Sequence, residues 1–176
     1  MASGPHRREE SSSETQAIRT DKIPDTMKGK KQSVILLAED NVADQNLTRR
    51  AFQGGKRSSN LRIVEDGVEA LEYLKRRGKY SDPASSPRPD ILLLDINMPR
   101  MDGKQLLKEI KTDPDLKTIP IIMLTTSRHD VDVLVSYTLG VNAYITKPVE
   151  VDRFLETIRG LEQFWLTTVM LPPNGE

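Results

Sequence analysis

The sequence predicts an α/β fold in which five helices cover both faces of a five-stranded parallel sheet. From residue 34 onward, two kinds of segment alternate along the chain. Continuous apolar runs are typical of strands that are buried on both faces. Between them, apolar residues recur at spacings of three or four, the period of an amphipathic helix. This alternation of strand and helix indicates a doubly wound parallel sheet.

The individual elements follow from these patterns in chain order. The predicted strands are residues 34–38, 61–64, 91–94, 119–124 and 143–145. A helical repeat follows each strand. The repeats are formed by Ala43, Leu47 and Ala51, by Val68, Leu71 and Leu74, by Leu106 and Ile110, by Val131, Leu134, Val135 and Leu139, and by Val151, Phe154, Leu155 and Ile158.

A length of 176 residues allows one domain with a full core and additional terminal segments. Residues 1–32 carry almost no large apolar side chain, so we predict a disordered tail there. Residues 33–166 are predicted to form the folded domain. Residues 167–176 then form a C-terminal arm.

The composition excludes several classes of function. The 26 basic residues balance the 26 acidic ones, and no basic block is interleaved with aromatic residues, so nothing supports nucleic-acid binding. The absence of cysteine excludes disulfides and thiolate metal sites. No apolar run approaches membrane-spanning length, and the first residues lack the apolar core of a signal peptide. We therefore expect a soluble, cytoplasmic protein with no membrane partner.

Acidic residues follow two of the strongest predicted strands. Glu39 and Asp40 come directly after the first strand, and Asp95 follows the third. In an open parallel sheet, ligands bind beyond the carboxyl ends of the strands, near the point where strand order reverses. Carboxylates clustered there repel one another unless a hard cation is present, and Mg²⁺ fits best. An alternative is that Glu39 and Asp40 only cap the following helix.

The residues after the third strand extend this site. Asp95 is a candidate nucleophile, and the backbone carbonyl of Asn97 is placed to complete a metal shell. Pro99 and Gly103 are explained as turn residues. A carboxylate that accepts a phosphoryl group needs donors that neutralise charge on the phosphoryl oxygens, and other strand ends should supply them.

Thr125 and Lys147 provide such donors after the fourth and fifth strands. The Thr125 hydroxyl can hydrogen-bond a phosphoryl oxygen, and the Lys147 ammonium can pair with Asp95 or its phosphorylated form. Taken alone, Thr125 would more often be a helix cap and Lys147 a solvated surface charge. Because acids, a hydroxyl and an ammonium converge at one edge, we favour a phosphoryl site.

Glu39-Asp40, Asp95, Thr125, Tyr144 and Lys147-Pro148 together resemble, in order and spacing, the receiver domains of two-component response regulators. The resemblance covers about residues 33–166 and implies the flavodoxin-like (βα)5 receiver fold. It identifies Asp95 as the phospho-acceptor, and Glu39, Asp40, Asp95 and the Asn97 carbonyl as the Mg²⁺ site. The first acid is Glu39 where the family more often has Asp, which affects only the detailed geometry.

The same resemblance implies roles for the remaining residues. Thr125 corresponds to a switch hydroxyl, Tyr144 to an aromatic switch, and Lys147 to the cation that pairs with the phosphoryl group. Without the resemblance, Tyr144 would be an ordinary half-buried strand residue. The family also implies a cis peptide bond before Pro148.

Several segments are similar to single-domain regulators that partner phytochrome histidine kinases. They are residues 64–71, 124–127, 139–142 and 164–172. The subgroup implies a histidine kinase as phosphoryl donor, and a kinase of the phytochrome type is one candidate. Because few residues follow the fifth helix, the output is expected to be an unknown downstream protein rather than a DNA-binding domain.

Three classes of function are compatible with these residues. We favour a signalling switch that assists only its own phosphorylation and dephosphorylation. The alternative enzyme is a metal-dependent phosphohydrolase with an aspartyl-phosphate intermediate, but such enzymes usually need an acid close after the nucleophile, and position 97 is Asn. A flavodoxin-like cofactor binder ranks last, because Glu39 and Asp40 would repel a phosphate after the first strand.

The C-terminal arm predicts a homodimer. It carries an apolar cluster beyond the expected core, and a large exposed apolar patch is rare on soluble monomers. The cluster consists of Phe164, Trp165, Leu166, Val169, Met170 and Leu171. The alternative is that the arm folds back on its own domain.

Overall fold

The computed structural model describes residues 32–54, 59–126 and 128–172. The strands are β1 (Ser33–Ala38), β2 (Ser59–Val64), β3 (Ile91–Leu94), β4 (Ile121–Thr125) and β5 (Ala143–Thr146). The helices are α1 (Val42–Gln53), α2 (Gly67–Leu74), α3 (Gly103–Thr112), α4 (Asp130–Thr138) and α5 (Val151–Gln163). A 3-10 turn covers Gly78–Tyr80, and a π-helical turn over Phe164–Thr168 extends α5. All but Gln32 of the predicted disordered tail, residues 1–32, lies outside the described residues.

The sheet confirms the predicted fold class. All four strand pairs are parallel, in the order β2-β1-β3-β4-β5. The chain moves outward from β1 to β2 and then returns to the other side of β1 to form β3. Strand order therefore reverses between β1 and β3, which is where a doubly wound sheet opens a crevice for ligands.

Two apolar clusters, one on each face of the sheet, form the core. On one face, strand residues such as Leu36, Leu92 and Met123 pack with α2 and α3. On the other face, Ile35, Leu93 and Leu124 pack with α1 and α5, and the two groups of strand residues alternate along each strand. Burial on both faces explains why the central strands have continuous apolar sequences.

The largest differences between the observed and the predicted strand limits are at the starts of β4 and β2, two residues each. β4 begins at Ile121 rather than at residue 119, because Pro120 has no N–H to donate and contributes only its carbonyl, which accepts from the Leu92 N–H at 3.0 Å. β2 begins at Ser59, two residues before the apolar run, because it pairs in register with Ser33 at the start of β1.

The C-terminal cluster is more buried than the sequence suggested. Leu166 belongs to the core cluster between the sheet, α1 and α5, and Trp165 and Leu171 pack against it. Phe164 and Met170 remain 53% and 96% exposed. The expectation that all of these side chains lie outside the core is therefore wrong for three of them, because the extra turn after α5 and the segment that follows it pack Trp165, Leu166 and Leu171 against the core.

None of the described helices is both long and apolar enough to cross a lipid bilayer.

Candidate phosphoryl-acceptor site

Three carboxylates meet at the carboxyl ends of the two central strands, as predicted. Glu39 and Asp40 follow β1, Asp95 follows the neighbouring β3, and one oxygen from each lies within 4.8 Å of the others. Glu39 and Asp95 are buried, whereas Asp40 is exposed. The group therefore has one side open to solvent, from which a ligand can enter.

Backbone hydrogen bonds fix these residues beyond the regular ends of their strands. The Glu39 N–H donates to the Val64 carbonyl at 3.0 Å, and the Asp95 N–H donates to the Ala38 carbonyl at 3.0 Å. The Gln45 side-chain amide reaches back from α1 and donates to the Glu39 carbonyl at 2.7 Å. The two acidic strand ends are therefore held in register with each other.

Asn41 is the residue that caps α1. Its side-chain oxygen accepts from the N–H groups of Ala43 and Asp44 at 2.9 and 3.2 Å. The alternative reading, in which Glu39 and Asp40 serve only as caps, is therefore wrong. Both acids remain available to the cluster at the strand ends.

The loop after β3 determines the surroundings of Asp95. The Asn97 N–H donates to Asp95 Oδ2 at 2.9 Å, which orients the carboxylate, while Asn97 itself is exposed. A Cβ at position 103 would lie 2.1 Å from the Asp95 carbonyl oxygen, so only glycine lets α3 begin this close to Asp95. Gly103 thus has a more specific role than forming a turn.

Lys147 enters the same site from the end of β5. Its buried ammonium nitrogen lies 2.5 Å from Glu39 Oε2, 2.9 Å from Asp44 Oδ2 and 3.4 Å from Asp95 Oδ1. The interpretation of Lys147 as a solvated surface charge is therefore wrong. Asp44, in the first turn of α1, is the site residue that the sequence analysis missed.

The charges of the site do not balance. The site contains four carboxylates, those of Glu39, Asp40, Asp44 and Asp95. Its one ammonium group, that of Lys147, contacts Glu39, Asp44 and Asp95. Burial raises the pKa of the Glu39 carboxyl to about 7, although its hydrogen bond to Lys147 lowers it. Burial alone would lower the pKa of Lys147, but Asp95, Asp44 and Glu39 together raise it, so the ammonium stays charged. An oxygen-lined site with excess negative charge fits a divalent cation.

Of the two predicted switch residues, Thr125 lies at this edge of the sheet, whereas Tyr144 lies within β5. Thr125 ends β4, is fully buried, and is paired in register with Thr146 of β5. Its carbonyl accepts from the Lys147 N–H at 2.7 Å, which ties the ends of the two strands together. Tyr144, in the middle of β5, is half-buried and packs against the core beneath α2 and α3.

The peptide bond before Pro148 is trans, since the described residues contain no cis peptide. The expected cis bond is therefore wrong for this structure. Trans is the intrinsically favoured isomer even before proline, by about 0.5–1 kcal/mol. Here it is compatible with the backbone and side-chain contacts that place Lys147 in the site.

Known proteins resemble the chain over most of its length. A family model for the response regulator receiver domain matches residues 35–159. The response regulator Rcp1 of Synechocystis sp. is 44% identical over 139 residues, which cover 79% of this chain and 92% of Rcp1.

Solved structures give the same result. The phosphorylated cyanobacterial phytochrome response regulator RcpA matches with a TM-score of 0.77 and 42% identity, over 81% of this chain and 100% of RcpA. The Mn²⁺-bound form of Rcp1 matches with a TM-score of 0.75 and 43% identity, over 80% of this chain and 99% of that structure.

Proposed function

The chain belongs to the response regulator receiver domain family of two-component signalling, and we propose that Asp95 is the residue that accepts its phosphoryl group. One observation carries the assignment. Asp95 is a buried strand-end carboxylate that lies 3.4 Å from an ammonium nitrogen and beside two further acids. Within the described residues, the acids that cluster in this way are Glu39, Asp40 and Asp95, and Asp95 is the one oriented by the loop after β3.

In the proposed reaction, a carboxylate oxygen of Asp95 forms a bond to phosphorus while the bond between phosphorus and a histidine nitrogen of the donor breaks. The electron pair of the broken bond stays on that nitrogen. Lys147 neutralises charge on the phosphoryl oxygens from one side. The Thr125 hydroxyl lies at the neighbouring strand end and is proposed as a second donor.

Glu39, Asp40 and Asp95, with the Asn97 backbone carbonyl, are the proposed ligands of a divalent cation. When bound, that cation supplies positive charge that neutralises the transferring group. A structure of the relative Rcp1 contains Mn²⁺, which supports the class of ion. We propose Mg²⁺, because the donors are all oxygens and the open side leaves room for water ligands.

The proposed output is a change of conformation in the face formed by α4, β5 and α5, with Thr125 and Tyr144 as the switch residues. Support comes from the exposed apolar side chains on this face, which offer a surface to a downstream protein. They include Val131, Leu134, Tyr137, Val149 and Val151.

We propose a histidine kinase of the phytochrome type as phosphoryl donor, because the relative RcpA is a phytochrome response regulator. This proposal places the protein in the cytoplasm with such a kinase. Phosphohydrolase activity is not favoured, since Asn97 occupies the position where that class would need an acid.

We also propose a homodimer that uses the C-terminal segment. The predicted surface was Phe164, Trp165, Leu166, Val169 and Leu171. Because Trp165, Leu166 and Leu171 pack on their own domain, the side chains left for a partner copy are Phe164, Val169 and Met170, of which Phe164 and Met170 are the exposed ones. Sedimentation of Phe164→Ser with Met170→Ser tests this proposal, since a monomeric wild type or an unchanged dimer in the double variant would contradict it.

The test of the acceptor is phosphorylation by acetyl phosphate with Mg²⁺, followed by intact mass. Wild type should gain one phosphoryl group and Asp95→Asn none. Asp152→Asn, which removes an exposed acid from the first turn of α5, serves as the matched control and should be labelled like wild type. Labelling of Asp95→Asn at wild-type stoichiometry would refute the assignment.

A further inference from the structure

Asp44 belongs to the site although it lies on a helix rather than at a strand end. We propose that Asp44 is a positioning residue dedicated to Lys147, which it holds in place to receive the phosphoryl group. This inference rests on the proposed function of Asp95. It adds a fourth carboxylate whose task differs from that of the other three.

The contacts of the ammonium group divide into two kinds. Lys147 donates hydrogen bonds to Glu39 Oε2 at 2.5 Å and to Asp44 Oδ2 at 2.9 Å. Asp95 Oδ1 lies at 3.4 Å, which is ion-pair distance, and longer than a good N–H···O hydrogen bond. An ammonium has three N–H donors, so two are engaged and the third remains for an oxygen on Asp95.

Glu39 and Asp44 are not equivalent partners of Lys147. Glu39 also belongs to the acidic cluster with Asp40 and Asp95, and its second oxygen accepts from the Asn41 N–H at 3.2 Å. Asp44 is not a member of that cluster. Its contact with Lys147 is therefore independent of whatever the cluster binds, and it keeps one anchor on the ammonium in either case.

Anchoring matters because a lysine side chain is long and flexible. A donor that is already fixed binds a phosphoryl oxygen without a further loss of side-chain entropy. The Lys147 side chain is 5% exposed and spans from β5 to α1 through Asp44. The two elements thus fix the ammonium before the phosphoryl group arrives.

A simpler role for Asp44 is that of an acid at a helix N-terminus, where negative charge is favourable. Asp152 likewise lies in the first turn of a helix, α5, and is exposed. Asp152→Asn therefore controls for the helix effect, while Asp44→Asn keeps the size of the side chain and removes its charge.

The experiment measures binding of beryllofluoride, a phosphoryl mimic, in the presence of Mg²⁺ by calorimetry. We expect Asp44→Asn to weaken binding about threefold to fivefold, the range of a partly exposed ion pair, and Asp152→Asn to leave binding unchanged. In a Lys147→Ala background, Asp44→Asn should cause no weakening. Equal weakening in both backgrounds, or none in the wild-type background, would overturn the proposal.

A second measurement makes the test independent of affinity. With 15N-labelled lysine, the Lys147 ammonium signal should be visible in wild type and Asp152→Asn and broadened by exchange in Asp44→Asn. An unchanged signal in Asp44→Asn would also overturn the proposal. If wild type itself fails to bind beryllofluoride, the proposed function of Asp95 fails, whereas normal wild-type binding with an unaffected Asp44→Asn refutes only the role of Asp44.

Discussion

Helices α3 and α4 lie beside each other on the same face of the sheet but are attached to it very differently. α3 buries Leu106, Leu107 and Ile110 completely and begins with a reciprocal cap between Asp102 and Gln105. In the described part of α4, the fully buried side chain is that of Ser136. Val131 and Leu134, by contrast, are 70% and 69% exposed.

The difference indicates how a fold of this kind combines rigidity with a capacity to switch. α3 begins next to Asp95, the proposed acceptor, and is anchored there by apolar burial and capping. α4 follows Thr125 and gains little from burial. We expect α4 to change position at low cost, as a segment with few buried apolar contacts should.

The largest expected effect comes from truncating the anchor of α3. Leu107→Ala should lower the free energy of unfolding by about 2–5 kcal/mol, because it leaves a cavity in a fully buried cluster. Leu134→Ala, the same change on α4, should stay within roughly 0.5 kcal/mol of wild type. Urea denaturation measures both. Losses of similar size would mean that the two helices are held equally firmly.

An effect of intermediate size and opposite sign on the free energy of unfolding is expected at Ser136, on the buried side of α4. The Ser136 hydroxyl is buried with no hydrogen-bond partner among the described residues, and burying an unpaired hydroxyl costs free energy. Ser136→Ala should therefore stabilise the protein by up to about 1 kcal/mol and slow amide exchange in α4.

The control for this change lies two residues away on the same helix. The Thr138 hydroxyl is exposed and donates to the Leu134 carbonyl at 2.9 Å, so Thr138→Ala should bring no gain. Destabilisation by Ser136→Ala would contradict the view that the Ser136 hydroxyl is buried without a hydrogen-bond partner.

The smallest effect concerns the ion pair that joins α3 to α4. Lys104 at the start of α3 pairs with Asp132 at the start of α4 at 2.8 Å, a contact that raises the pKa of Lys104. Because the pair is partly exposed, Lys104→Ala should cost only about 0.2–1 kcal/mol, and less at high salt.

The effect should be localised as well as small. Hydrogen exchange should become faster in α4 and stay unchanged in α3, whereas Lys108→Ala, an exposed lysine on α3, should alter neither. Faster exchange in α3 would contradict the view that the ion pair between Lys104 and Asp132 stabilises mainly α4.

Much of the fold was predictable because it depends on local patterns. β3 has the predicted limits, and the five strands and five helices occur in the predicted order. The predicted strand limits were wrong where a property other than hydrophobicity sets the end of a strand. β4 is an example, because Pro120 has no N–H to donate to the sheet. The helical repeat of α4 was also visible in the sequence, but that repeat faces solvent, which periodicity alone cannot reveal.

The site was predictable to the extent that its residues end strands. Parallel strands bring their carboxyl ends to one edge, so Glu39, Asp40, Asp95, Thr125 and Lys147 could be grouped from their positions. Asp44 escaped because an acid in the first turn of a helix usually needs no explanation beyond the helix dipole. The sequence carries no signal that separates that common role from a contact with Lys147.

The sequence by itself determined the family, the parallel sheet and the edge at which the proposed site lies, because these follow from apolar periodicity and from residues adjacent to strand ends. Only the tertiary structure decided that Lys147 bonds to Asp44, 103 positions away, and that Leu166 returns to the core while α4 exposes its apolar side. Such contacts depend on how elements that are far apart in the sequence pack in space. The local sequence around each residue does not determine this packing.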